Sequence, residues 1–318
     1  MNTKRGADEH EHRLISDGVV RAAAQRDKVA ALIQAFLSGR NPLTIRAYRQ
    51  DLADFASFVQ ARDVDDAARR LLTLAPGDAN ALALGYKTHL VERGLQGATI
   101  NRRLAALRAM VKLARTLGLV PWSLEVQNLK VEQGRDLRGP ARATLMMVLH
   151  ALGQRQDAKA KRDVAILRLL HDLGLRRGEV VSLDLDHLDL AVGTVSVLGK
   201  GRRARAALTL PAETKAALSA WLAARGDAAG PLFTNFDRAG KGSRLTGTSL
   251  YRLTKGLGLG RPHGIRHAAI TAALDLMSGD VRKVQRFSRH VDVRVLGIYD
   301  DCRKDMAGQV ARIVAANL

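Results

Sequence analysis

From about residue 27 to about residue 120 the apolar side chains recur every three to four positions, and that period specifies helices. In NPLTIRAYRQDLADFASFVQ, residues Ile45, Tyr48, Leu52, Phe55 and Val59 fall on one face of a 3.6-residue turn, and Pro42 suits the first helical position. In ATINRRLAALRAMVKLARTLG the same spacing joins Ile100, Leu104, Leu107, Val111 and Ala114, with Gly118 as the stop. The chain therefore opens with a helical domain. Beside the apolar face of the second stretch, Arg108, Lys112 and Arg115 line up at i, i+4, i+7, either as a solvated face or as a row of phosphate contacts.

Around this domain the pattern changes. Residues 1–26 are polar and mixed in charge, which predicts a flexible N-terminal segment. PWSLEVQNLKVEQGRDLRGP, residues 121–140, has no sustained period and is bounded by prolines, and so reads as an interdomain linker. Beyond it RDVAILRLLHDLGL is helical, and GTVSVLGKGRRARAALTLP alternates on either side of Gly199-Lys200-Gly201, the pattern of an antiparallel hairpin with a glycine-flanked turn. Helical periods then run to KDMAGQVARIVAANL, where Met306, Val310, Ile313 and Val314 share a face. The expected fold is mainly α: a helical domain over 27–120, then a mostly helical α+β domain over 141–318 with a small antiparallel β-hairpin or sheet.

Charge narrows the partners. With 51 Lys and Arg against 31 Asp and Glu the net charge is +20, which points to a polyanion. Nucleic acid leads over an anionic membrane surface, since only 4% of residues are aromatic and no apolar run reaches the ~18 residues of a membrane span. The N-terminus lacks the apolar stretch of a signal peptide, and a cytoplasmic location is expected. Cys302 is the single cysteine, which excludes an internal disulfide and a multi-cysteine zinc site. The EHEH near the start has no structural frame for a metal, and no cofactor is expected.

Four separated stretches carry unusual chemistry. In GLRRGEV a helix ends at Gly174, Arg176 follows, and Glu179 comes three residues later, within reach to brace a guanidinium. In GKGRRAR the glycines flanking Lys200 would let a turn deliver its ammonium to a bound backbone. In RPHGIRHAAI, His263 and Arg266 share one side of a helical turn. In RHVDVRVLGIYDD, His290 precedes Tyr299 by nine positions.

Taken in order, Arg, Lys, His-x-x-Arg, His and Tyr resemble the pattern of the tyrosine recombinase (phage integrase) family, and the resemblance spans about residues 27–305. It implies a core-binding domain at the N-terminal side and a catalytic domain after it, acting on double-stranded DNA as a homo-tetramer on paired sites, without metal or ATP. Tyr299 would attack the phosphodiester to give a 3′-phosphotyrosyl intermediate, Arg176 and Arg266 would stabilise the charge on the phosphate oxygens, and Lys200 would protonate the departing 5′ oxygen. His263 would assist proton transfer, His290 would hydrogen-bond a phosphate oxygen, and Glu179 would fix Arg176. Arg177 is the rival to Arg176, but the Arg-x-x-Glu spacing selects Arg176; His267 is assigned to packing. Three departures stand out. FSRH occupies the place of the family's frequent Leu-Gly-His, Asp300 and Asp301 adjoin the tyrosine and would raise its pKa, and the N-terminal segment is too short for an arm-binding domain. A catalytically silent DNA-binding regulator and a type IB topoisomerase-like enzyme are the alternatives, and a requirement for an accessory protein is left open.

Overall fold

The computed structural model describes residues 28–130, 139–199, 202, 204–237, 240–297 and 306–316. Two compact units divide between Gly134 and Arg135.

The first unit is helical: α1 (28–37), α2 (Pro42–Phe58), α3 (Val64–Leu72), α4 (Pro76–Glu92) and α5 (Gly97–Thr116). The five apolar positions read on α5 are each 1% exposed or less, so its period translates directly into a buried face. Gly118 takes the left-handed backbone that ends the helix, with φ 71°. Asp63 caps α3 by accepting the Asp66 amide at 2.7 Å. Tyr86 of α4 is fully buried edge-on to Phe55, with ring centroids 5.2 Å apart, and donates its hydroxyl to Asp54. Asp51 and Asp54 on α2 are the acidic centre of the unit: Arg102 pairs with Asp51, and Arg93 and Arg103 pair with Asp54.

The stretch read as linker is, over its first part, core of this unit. Leu124 and Val126 are buried in it beside Val120, the residue before the stretch. Hydrogen bonds from side chains hold the extended backbone: Asn101 donates to the Leu129 carbonyl at 3.0 Å and accepts its amide at 2.8 Å, and Asn80 accepts the Glu125 amide. Arg108 donates to the Val126 carbonyl and to Asn128 Oδ1.

In the second unit α7 (Ala158–Asp172) is the central helix, packed by α6 (Arg142–Gly153), α9 (Ala212–Arg225) and α11 (Pro262–Leu276). It is apolar on several sides because it is covered on several sides, with Ala165, Ile166, Leu167, Leu169 and Leu170 all fully buried. The expected hairpin is present as β2 (Thr194–Leu198) and β3 (Arg205–Thr209), antiparallel, with Val195 opposite Leu208 and Val197 opposite Ala206. Val195 and Val197 turn inward at the strand period of two. A two-residue β1 (Leu188–Asp189) adds a third strand, giving the order β1-β2-β3. The remaining helices are α8 (Arg177–Val181), α10 (Gly247–Gly256), α12 (Val281–Ser288) and α13 (Met306–Ala316). Ile270 and Leu274 of α11 join Val284 of α12 and Leu296 in a small separate cluster, while Ile313 and Val314 on α13 are exposed. Among the described residues no helix is long and apolar enough to cross a membrane.

Candidate active site

The site grows from the turn that follows α7. Gly174 has φ +53°, and a Cβ there would meet the Phe287 ring at 3.3 Å, so both backbone and space demand glycine. Two residues later Arg176 opens α8 with extended backbone. Glu179, 4% exposed, folds back on it: Oε2 accepts the Arg176 amide at 2.9 Å and Oε1 the guanidinium at 2.7 Å. The Arg-x-x-Glu spacing is thus a helix N-terminus that fixes its own first side chain.

Pro262 starts α11 and puts His263 and Arg266 on its first turns. Arg266 is fully buried and donates to the carbonyls of Gly174 and Ser288, and its Nη2 lies 3.3 Å from His290 Nε2. Arg289 caps α12 in left-handed conformation, φ 57° and ψ 33°, which costs a non-glycine residue about 1–2 kcal/mol. Its guanidinium reaches the carbonyls of Leu173, Gly174 and Phe287 and Oε2 of Glu179. Three segments distant in sequence therefore meet at one turn.

The electrostatics follow from those contacts. Burial pushes the Glu179 carboxyl up, but the Arg176 amide together with the Arg289 and Arg176 guanidiniums outweighs it and holds Glu179 below the ordinary carboxylate value. His290 is held down to about 4 by desolvation and then by Arg266, Arg176, His263 and Arg289. Desolvation, then Arg266 and Arg176, lowers His263 as well, although that residue stays exposed at the rim. Both imidazoles are neutral at pH 7, able to donate through one ring nitrogen and accept through the other. Arg176 separates two recesses. One, of about 520 Å³, is lined by Val197, Gly199, Arg202, Gln285 and His290; the other, of about 500 Å³, by Arg177, Tyr251, Arg261 and His263. Asp184, Asp186 and His187 hold ligand atoms within 4.8 Å of one another, but Arg244 pairs with Asp184 and the His187 ring accepts the Asp184 amide.

A sequence profile of the phage integrase family matches residues 143–306, and one of the phage integrase N-terminal SAM-like domain matches residues 33–116. A tyrosine recombinase of Synechococcus elongatus is 40% identical over 87% of this chain and 90% of its own length. Tyrosine recombinase XerC of Pseudomonas putida is 32% identical over 80% of this chain and 84% of its own. The chain belongs to the tyrosine recombinase family. The Tn1549 transposon integrase, solved in complex with transposon right end DNA, has the same fold, with a TM-score of 0.64 and 18% identity over 92% of this chain and 99% of that one.

Of the residues singled out in the sequence of this site-specific recombinase, Arg176, Glu179, His263, Arg266 and His290 come together. Lys200 and Tyr299 lie outside the described residues, as do Asp300 and Asp301. His267, read as packing, is buried on α11. On α5 the basic stripe divides: the Arg108 guanidinium is bound to the chain's own 126–128 segment, while Lys112 and Arg115 are exposed. Arg289 was not among the expected site residues. Its signal was FSRH itself, a charged side chain where a helix end favours glycine.

Proposed function

We propose that the recombinase cleaves and rejoins double-stranded DNA through Tyr299, assembling as a homo-tetramer on paired sites in the cytoplasm. The observation that carries the reading is that Arg176, Arg266 and two neutral imidazoles gather at the turn after α7, with His290 and His263 in the recesses on either side of Arg176 and the buried Glu179 bracing that arginine. A phosphodiester under attack accumulates negative charge on its non-bridging oxygens, and fixed guanidinium forks meet that charge without reorganising. Tyr299 Oη bonds to phosphorus as the bond to the 5′ oxygen breaks. Its proton passes toward His263, whose neutral ring can accept it, and Lys200 gives a proton to the departing oxygen. His290, neutral, donates to a phosphate oxygen. The phosphotyrosyl ester conserves the energy of the broken bond, so the free 5′-hydroxyl of another strand can reverse the step without ATP. The DNA-bound Tn1549 integrase supports duplex DNA as the partner.

The test is covalent capture of a library of nicked duplexes with a randomised core, read as denaturant-resistant protein–DNA complex. Wild type should capture a defined subset, whereas Tyr299→Phe should capture none and still bind that subset. Lys200→Ala should slow cleavage strongly on an ordinary captured duplex and much less on one with a 5′-bridging sulfur, since a thiolate leaves without a proton. No capture by wild type makes the chain a DNA binder, and relaxation of supercoiled plasmid without strand exchange makes it a topoisomerase-like enzyme.

A further inference from the structure

We propose that Arg289 is a positioning residue of the cleavage site, tying Glu179 and the turn that carries His290 to the same Gly174 carbonyl on which Arg266 rests. The proposal builds on the strand-transfer reading above and adds a residue to it. Among the described non-glycine residues only Gln60, Ser278 and Arg289 have positive φ. A turn that needed nothing but this backbone would be made more easily by glycine. The side chain does what glycine cannot. Nη1 donates to the carbonyls of Leu173 and Phe287 at 3.0 and 3.2 Å, and Nη2 donates to the carbonyl of Gly174 at 3.1 Å and to Glu179 Oε2 at 3.0 Å.

Each terminal nitrogen thus has two acceptors within the protein, one for each of its hydrogens, which leaves Arg289 to act through its neighbours. One route runs through Glu179, whose other oxygen holds Arg176 at 2.7 Å. The second runs along the chain to His290, whose carbonyl is held by Gln285 Nε2 at 3.1 Å and whose ring adjoins Arg266. One guanidinium therefore sets both edges of the recess. The charged groups bearing on Glu179 are Arg176 and Arg289; the charged and titratable groups bearing on His290 are Arg266, Arg176, His263 and Arg289. Removing the Arg289 charge raises the pKa of Glu179 and of His290 alike, so both changes move in one direction with pH.

Arg289→Gly separates this role from turn formation, because glycine suits the backbone and lacks only the side chain. With a captured duplex at saturation, single-turnover cleavage should fall by about 10- to 100-fold, the scale on which small misplacements of reacting groups act. DNA affinity should stay within a few-fold, and the acid limb of the pH–rate profile should move to higher pH. Arg289→Lys should return that limb toward wild type without restoring the rate, since an ammonium keeps the charge and loses the fork. Wild-type rate and profile in Arg289→Gly would overturn the proposal, as would strictly additive losses in Arg289→Gly combined with Glu179→Gln. A measurement on the free, folded protein is independent of cleavage: carboxyl carbon NMR of Glu179 should show its titration moved up in Arg289→Gly. An unmoved titration overturns the positioning role whether or not DNA is cut, whereas failure of wild type to capture any duplex overturns the strand-transfer reading alone.

Discussion

The acidic centre of the N-terminal unit and the candidate active site of the C-terminal unit bury opposite partners of their arginine contacts. In the first, the acid is buried and the arginine reaches in from outside: Asp51 is 1% exposed and its partner Arg102 43%. In the second the arginine is buried, Arg266 at 0%, and it donates to carbonyls of Gly174 and Ser288. A carboxylate satisfies a guanidinium and cancels its charge; a carbonyl satisfies it and leaves the charge in place. The imidazoles register the result, since Arg266 and Arg176 both push His263 and His290 down. Carboxylate-paired Arg102 staples helices, while carbonyl-bound Arg266 keeps its positive charge beside Arg176, which shares the single carboxylate of Glu179 with Arg289.

The largest effect expected from this contrast is at Arg266. Arg266→Lys keeps the charge but strips the fork from two buried carbonyls, and should cost about 2–4 kcal/mol in urea unfolding and about 10²–10³-fold in cleavage. Arg102→Lys should cost under about 1 kcal/mol, because its exposed end is screened by water. Equal losses at the two positions would break the comparison.

Next in size is Gly174→Ala. Left-handed backbone alone costs about 1–2 kcal/mol, and the Phe287 ring at 3.3 Å must also give way. Because Arg266 and Arg289 share the Gly174 carbonyl, the captured fraction in the cleavage assay should fall further than stability alone explains. A loss confined to the unfolding midpoint would show that the turn is scaffold only.

What could be read in the sequence was what repeats or recurs locally. The face of α5 was legible because Ile100 to Ala114 keep one period, and the brace of Arg176 by Glu179 because both lie on one turn. The first part of the linker was not, since Asn101, Asn80 and Arg108 hold it by side-chain hydrogen bonds that leave no period. β1, with two residues, is too short to show alternation. Arg289 was visible as a departure, but its role depends on Glu179, 110 residues away in sequence. The neutral state of His290 was equally hidden, because it depends first on the burial of His290 itself and then on Arg266 beside it.

A smaller effect separates the two regions by pH. Glu179 has a folded pKa below its unfolded value, so it adds stability above the unfolded value of about 4.3, and this is lost as pH falls through the folded value. Asp51 is the reverse: burial outweighs Arg102 and Arg103 and raises it, so the folded state binds the proton more tightly and stability through this group declines as pH rises through that range. Glu179→Gln should therefore flatten the acid-side loss of stability, and Asp51→Asn should steepen it. Urea midpoints across the acidic range give both slopes, and slopes of the same sign would undo the assignment of buried acid and buried cation.

The smallest change in stability is expected on the exposed part of α5, and there the measurement shifts to DNA. Lys112 and Arg115 are exposed, so replacing either by Ala should move stability by less than about 0.5 kcal/mol. Each phosphate that is no longer neutralised flattens the plot of log K against log salt by about 0.9, so the double substitution should flatten it by up to about 2 units on a captured duplex. Arg108→Ala should behave oppositely. Its guanidinium is bound to Val126 and Asn128, and its removal should cost about 1 kcal/mol of stability while leaving the salt slope unchanged. If Arg108 carries the slope and Lys112 and Arg115 do not, the guanidinium leaves its own chain to meet DNA, and the distinction between stapling and phosphate-facing arginines fails on this helix. If none of the three moves the slope, the stripe is a solvated face and DNA is held elsewhere on the chain.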